Sequence, residues 1–149
     1  MKYFLQDINE FLKARIDAAV LIFRIVVGCM FMWHGFPKII GGIDVWTGLG
    51  QSLAVFGITV FPAFFGFMSG AIEFFGGMFL FLGFFYRFAC FFLFANMMTA
   101  FSTQMMGDKG LAKAAQSLED GFSFFAAIAI GPGRYSLDYK LKWIRNKWQ

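Results

Sequence analysis

The chain has 149 residues, and 59% of them are apolar before its 17 glycines are counted, more than a soluble domain of this size can cover with polar surface. Only 15% are charged, against about 25% in an average soluble domain. Composition therefore excludes a soluble enzyme and a disordered chain; two cysteines exclude a disulfide scaffold, and a net charge of +4 without a long basic run excludes a nucleic-acid partner. What remains is an all-α membrane protein, one domain over residues 1–149, with the lipid bilayer as its first partner.

From the N-terminus, Phe4, Ile8, Phe11, Leu12 and Ile16 recur at helical spacing between charges, which predicts an interfacial helix lying in the headgroups. A spanning helix needs about 20 mostly apolar residues. The first such stretch is 18–36. Arg24 interrupts it and the apolar run continues past Cys29, both of which argue against a cleaved signal peptide. Pro37 is expected to close this span. A glycine-rich segment follows, whose later part, from Gln51 to Gly57, predicts a short helix in the outer loop. The second span is expected over 61–86, opened by Pro62, and the third over 88–106, without any charge. The fourth, apolar from Leu118, needs residues from about Leu111 to reach full length; it is placed at 111–131 and stopped by Pro132. The tail over 136–149 mixes Lys and Arg with Tyr139, Trp143 and Trp148, the composition of a basic, aromatic membrane anchor.

The result is a four-transmembrane-helix bundle with both termini on one side. That side carries Lys2, Lys13, Arg15, Arg87, Arg134, Lys140, Lys142, Arg145 and Lys147; the other carries Lys38, Lys109 and Lys113. The excess of basic residues predicts that both termini are cytoplasmic.

The polar groups inside the spans are costly and mark either helix pairing or a functional path. Counting about 1.5 Å per residue, Arg24 lies ~9 Å from the terminal-side face, Glu73 ~13 Å and Asn96 ~12 Å. Similar depths predict a buried Arg24–Glu73 pair joined by Asn96, which as a plain ion pair would lock the helices without any chemistry. Asn96, Thr99 and Thr103 share one helix face, either as interhelical glue or as a polar lining.

At the outer end of the first span, His34 and Lys38 are one turn apart. Trp33 and Phe36 flank them, with Thr103 and Gln104 of the third span and Glu119 or Asp120 of the fourth expected at similar depth. A neutral imidazole beside a carboxylate exchanges a proton near pH 7 and hydrogen-bonds a carbonyl, which suits a quinone-like head group; the alternative is a structural histidine. His34 and Lys38 are thus the candidate catalytic residues, and Trp33, Phe36, Thr103, Gln104, Glu119 and Asp120 the candidate ligand-binding ones. One His and two Cys do not make a metal centre, and no metal or haem is expected. Cys29 and Cys90 differ too much in depth for a disulfide and are expected as packed free thiols.

The spacing Arg24-x3-Gly28, His34-Gly35-x2-Lys38 with Gly41-Gly42, Glu73-x2-Gly76-Gly77-x5-Gly83-x3-Arg87 and Gly131-Pro-Gly-Arg-Tyr-Ser-Leu-Asp138 resembles the DoxX/DoxD family of small bacterial membrane proteins, from about Phe23 to Asp138. The resemblance implies a four-helix bundle in the bacterial inner membrane, linked to thiosulfate, sulfur or quinone redox chemistry, and singles out Arg24, His34, Lys38, Glu73 and Asp138. Family members often carry a histidine near the outer end of the third span, where this chain reads Ser102-Thr103-Gln104-Met105, so a redox site built on that residue would be altered here.

Together these readings favour a membrane subunit of an oxidoreductase assembly that binds a quinone-like ligand near the outer interface, beside a partner subunit or a second copy of itself. The alternatives are a non-catalytic scaffold or accessory protein and, less well supported by a continuous polar path, a small-solute carrier.

Overall fold

The structure is a computed structural model that describes residues 2–107 and 110–147, with side chains for residues 12, 15–107 and 110–142. Among the described residues six α-helices follow in order: α1 Lys2–Ile40, α2 Gly42–Gln51, α3 Pro62–Leu82, α4 Tyr86–Met106, α5 Leu111–Ile130 and α6 Leu137–Lys147, with a 3-10 turn at Ser52–Phe56 after α2. Among the described residues, three helices are long and apolar enough to cross a membrane: α3, α4 and the 15–40 part of α1. α5 matches them in length but carries Lys113, Glu119 and Asp120.

Several boundaries differ from the sequence-based expectation. The N-terminal amphipathic stretch is not a separate interfacial helix but the first turns of α1, whose 39 residues reach about 58 Å, roughly twice a ~30 Å hydrocarbon core. Pro37 does not end that helix. It sits within the last turn, where a missing N–H costs only one bond, and the Trp46 indole N–H donates to the Lys38 carbonyl at 2.8 Å to finish the end. α3 stops at Leu82 rather than 86, because Gly83 turns left-handed with φ 63°. Cys29 is free but exposed on the outside of α1, whereas Cys90 is free and buried. Trp148 of the expected aromatic anchor and Lys109 of the charge count lie outside the described residues.

Glycine fixes how the helices meet. α1 and α3 run antiparallel with Gly28 against Gly77 and Phe81, and Gly35 against the backbone of Phe74 and Gly70. Gly66 lies so close to the Trp46 backbone that a Cβ would sit 1.9 Å from its carbonyl oxygen, and this seats α2 directly on the N-terminal half of α3. α3 packs next on α4, where Gly76 receives Leu93, and α4 on α5, where Gly121 receives Met98. The core thus lies between α1, α3, α4 and α5, built on Phe31, Leu80, Tyr86, Cys90, Leu93, Met97, Phe124 and Ala127. Phe31 and Phe124 meet edge to face at 4.9 Å, joining α1 to α5.

Candidate functional site

The helix contacts just described bring one polar layer to the middle of the bundle. Glu73 is close to the midpoint of α3 and Asn96 to that of α4. Asn96 Nδ2 donates to Glu73 Oε1 at 3.2 Å, and the Lys38 ammonium donates to both carboxylate oxygens, at 2.6 and 2.5 Å. Gly35 against Phe74 holds His34 within a turn of Glu73 in depth, and Gly121 against Met97 and Met98 does the same for Asp120 relative to Asn96. Asp120 lies within electrostatic reach of His34. The layer therefore takes His34 and Lys38 from α1, Glu73 from α3, Asn96 from α4 and Asp120 from α5. Below it the Phe31–Phe124 pair closes the bundle with aromatic surface.

The side chain of Glu73 is 5% exposed and that of Lys38 30%. Lys38 leaves the backbone above Gly70 and bends inward to its partner, although an aliphatic stem of this length would normally carry the charge out to the interface. A buried carboxylate in hydrocarbon is the stronger demand, and Lys38 is the cation that reaches it.

The expected Arg24–Glu73 pair does not form. Counted from Leu82, where α3 ends, Glu73 keeps its expected depth of ~13 Å, whereas Arg24, on a helix that runs unbroken through residue 18, stands level with Leu80 and Phe81, about two helical turns from Glu73. The guanidinium, 2% exposed, is a clamp on backbone oxygens instead: Nε donates to Leu80 O at 3.1 Å, Nη2 to Phe81 O at 2.9 Å, and Nη1 to Pro132 O at 3.0 Å and Tyr135 O at 3.2 Å. It thus donates to two carbonyls at the end of α3, of which that of Leu80 also accepts from the Gly83 N–H, and ties the Gly131–Asp138 segment beneath the bundle. Gly83 is the residue that admits it, since a Cβ there would lie 2.5 Å from the guanidinium carbon.

The same end holds a second lock. Asp138 accepts from Phe85 N at 3.0 Å and Tyr86 N at 2.9 Å, capping α4 from a distance of 52 residues in sequence, and its own N–H donates to Gly83 O at 2.9 Å. Phe85 has φ 46°, a left-handed conformation that a bulky residue adopts only when its surroundings hold it there. Arg134 bonds Asp17 through both its backbone N–H and its side chain, at 3.0 and 3.2 Å. Sequence reasoning named Arg24 and Asp138 without finding these roles and did not name Asp17 at all. The turn-rich Gly-Pro-Gly-Arg-Tyr-Ser run was the available signal, for such a segment needs partners for its backbone.

Of the other expected site residues, the structure separates several. Trp33, 76% exposed, and Phe36 line a groove on the outer face of α1 with Cys29, Met32 and Pro37, so they do not wall a pocket around His34. Trp33 precedes His34 by one residue, about 100° around the helix, which turns it from the bundle to the surroundings. Lys38 faces Glu73. Gln104 Nε2 donates to Ser117 Oγ at 3.1 Å, joining α4 to α5, and Glu119 is exposed. Thr99, Ser102 and Thr103 donate to carbonyls of their own helix, so the threonine stripe supplies no bond between helices. Among the described residues no group of three or more His, Cys, Asp or Glu gathers as a metal site would require.

No curated protein and no solved structure matches this chain. A family model does: it covers residues 19–106, more than half of the sequence, and so takes in Arg24, His34, Lys38, Glu73 and Asn96 together with α1 from residue 19 onward and α2 to α4. The chain belongs to the DoxX family, and it is a multi-pass membrane protein.

Proposed function

We propose that α5 is a fourth membrane span, that both termini are cytoplasmic, and that the protein serves as a subunit of an oxidoreductase assembly in the bacterial inner membrane, holding a quinone-like head group against His34. The observation that supports this most is the polar layer: four helices bring ionisable or amide groups to one depth, where an isolated charge would cost ~2.5–3.5 kcal/mol. Within it Lys38 and Glu73 satisfy each other, whereas His34 is exposed between α1 and α5 with Asp120 nearby. Imidazole would donate to a ligand carbonyl and the carboxyl of Asp120 would exchange the proton. Lys38 supports this role by neutralising Glu73 rather than by touching the ligand.

Purified protein is expected to carry quinone in its solvent extract, and His34→Ala to lose it while keeping wild-type yield and elution volume. Loss of folded protein with His34→Ala, or no quinone in the wild type, would leave a non-catalytic accessory subunit as the better reading. That reading also rests on an observation: among the described residues, no buried side-chain nitrogen or oxygen is left without a partner, as a purely structural polar layer requires.

The topology has its own test. In a chain whose native cysteines are replaced, cysteine at position 44 is expected to react with an impermeant thiol reagent added to intact cells, and cysteine at position 142 only after lysis. The opposite pattern reverses the orientation, and reaction at both positions in intact cells removes the even number of spans.

A further inference from the structure

α1 and α5 are not joined as the other neighbouring helices are. Beneath the Phe31–Phe124 contact, on the side of the termini, they part to leave an apolar cavity of about 570 Å³, lined by Ile16, Ala19, Val20 and Phe23 of α1, Tyr86 of α4, and Ser123, Ala126, Ala127 and Ile130 of α5. Its size falls within the ~300–1,000 Å³ of ligand pockets. Small side chains facing one another across two membrane helices normally let the backbones close together. Here Ala19 of α1 and Ala126 and Ala127 of α5 line one open groove, so the small residues widen it instead of sealing an interface.

The groove has a closed end and a charged end. Phe31 and Phe124 block it toward the polar layer. At the other end α5 finishes with Ile130, and the Arg87 guanidinium lies against Gly131 just beyond, one residue after Tyr86 of the lining. Asp17, the acid near this rim, is engaged by Arg134. An occupant must therefore be a long apolar chain that enters from the surroundings and ends, at the level where α5 ends, in a group that suits a cation.

We infer that this groove is a binding site for one anionic phospholipid of the terminal-side leaflet, an acyl chain lying between α1 and α5 and the phosphate meeting Arg87. The inference uses α5 as a membrane span but no part of the quinone reading, and it concerns the opposite side of the Phe31–Phe124 pair.

Native mass spectrometry of detergent-purified protein equilibrated with equal amounts of phosphatidylglycerol and phosphatidylcholine tests it. Wild type is expected to retain one phosphatidylglycerol in preference to phosphatidylcholine, and Arg87→Gln to reduce that preference about fivefold, the effect of one basic contact at a membrane surface. Ala126→Phe, which puts a ring into the groove from an exposed position, is expected to retain neither lipid. Ala95→Phe, an equal change on an exposed part of α4 outside the groove, is expected to retain lipid like wild type, and elution volume and thermal midpoint confirm that each variant is folded. Equal retention by the Ala126→Phe and Ala95→Phe proteins overturns the site. Unchanged preference in Arg87→Gln overturns the headgroup assignment, and retention of prenylated quinone in place of phospholipid overturns the choice of occupant. A chain whose labelling pattern denies α5 a span loses the inference before any lipid is added.

Discussion

Replacing Arg24 by methionine is expected to abolish accumulation of folded protein, a cost above about 4 kcal/mol of the kind that follows disruption of a buried network. The guanidinium is the shared donor for the carbonyls of Leu80, Phe81, Pro132 and Tyr135, and a methionine side chain has no donor to replace it. Each of those bonds has a charged donor, and such bonds contribute about 1.5–3 kcal/mol apiece before non-additivity is allowed for. Arg24→Lys is expected to fail almost as badly. An ammonium on a flexible stem has no fork with which to hold two carbonyls of α3 and two of the Pro132–Tyr135 turn together. Folded yield by fluorescence-detected size exclusion, with thermal midpoints for whatever survives, measures this. Wild-type behaviour of the Arg24→Lys protein would mean that charge alone, rather than the planar donor geometry, holds the segment.

The Lys38–Glu73 pair is expected to be asymmetric under mutation. Lys38→Met leaves a carboxylate that is 5% exposed with only the Asn96 amide as donor, and removal of one partner from a buried pair costs about 3–5 kcal/mol. Glu73→Gln leaves an ammonium on a side chain that is already 30% exposed, and its four-carbon stem carries it outward to the interface at a smaller loss. Thermal midpoints are therefore expected to fall in the order wild type, Glu73→Gln, Lys38→Met. A Lys38→Met/Glu73→Met double variant is expected to recover much of the loss of Lys38→Met, because two apolar side chains replace a pair whose desolvation offsets most of its attraction. Equal losses in both single variants would show that Lys38 does not escape to the interface, and no loss in either would show that Glu73 is neutral without its partner.

These two residues also mark where reading along the chain stopped short. Apolar runs of spanning length, the scarcity of charge and the terminal excess of Lys and Arg are properties of the sequence itself, since a bilayer core of fixed thickness imposes them locally on each helix. The membrane class, the approximate spans and the glycine-punctuated spacing that resembles the DoxX family were therefore legible from residues alone, and the identity of the costly intramembrane groups with them: Arg24, Glu73, Asn96, His34 and Lys38. Which of those groups meet was not. A depth count assumes where a span begins: α1 runs unbroken through residue 18, so counting Arg24 from there set it about 9 Å deep, whereas it stands within about 3 Å of the α3 end at Leu82, beside a row of carbonyls rather than a carboxylate. Rotation is the other missing quantity: one residue turns a helical side chain by about 100°, which separates His34 on the α5 side from Trp33 on the outer face. The glycines decided both. Gly28, Gly35, Gly70 and Gly77 set the register of α1 on α3 by where a Cβ would clash, and only that register makes Lys38, not Arg24, the cation within reach of Glu73.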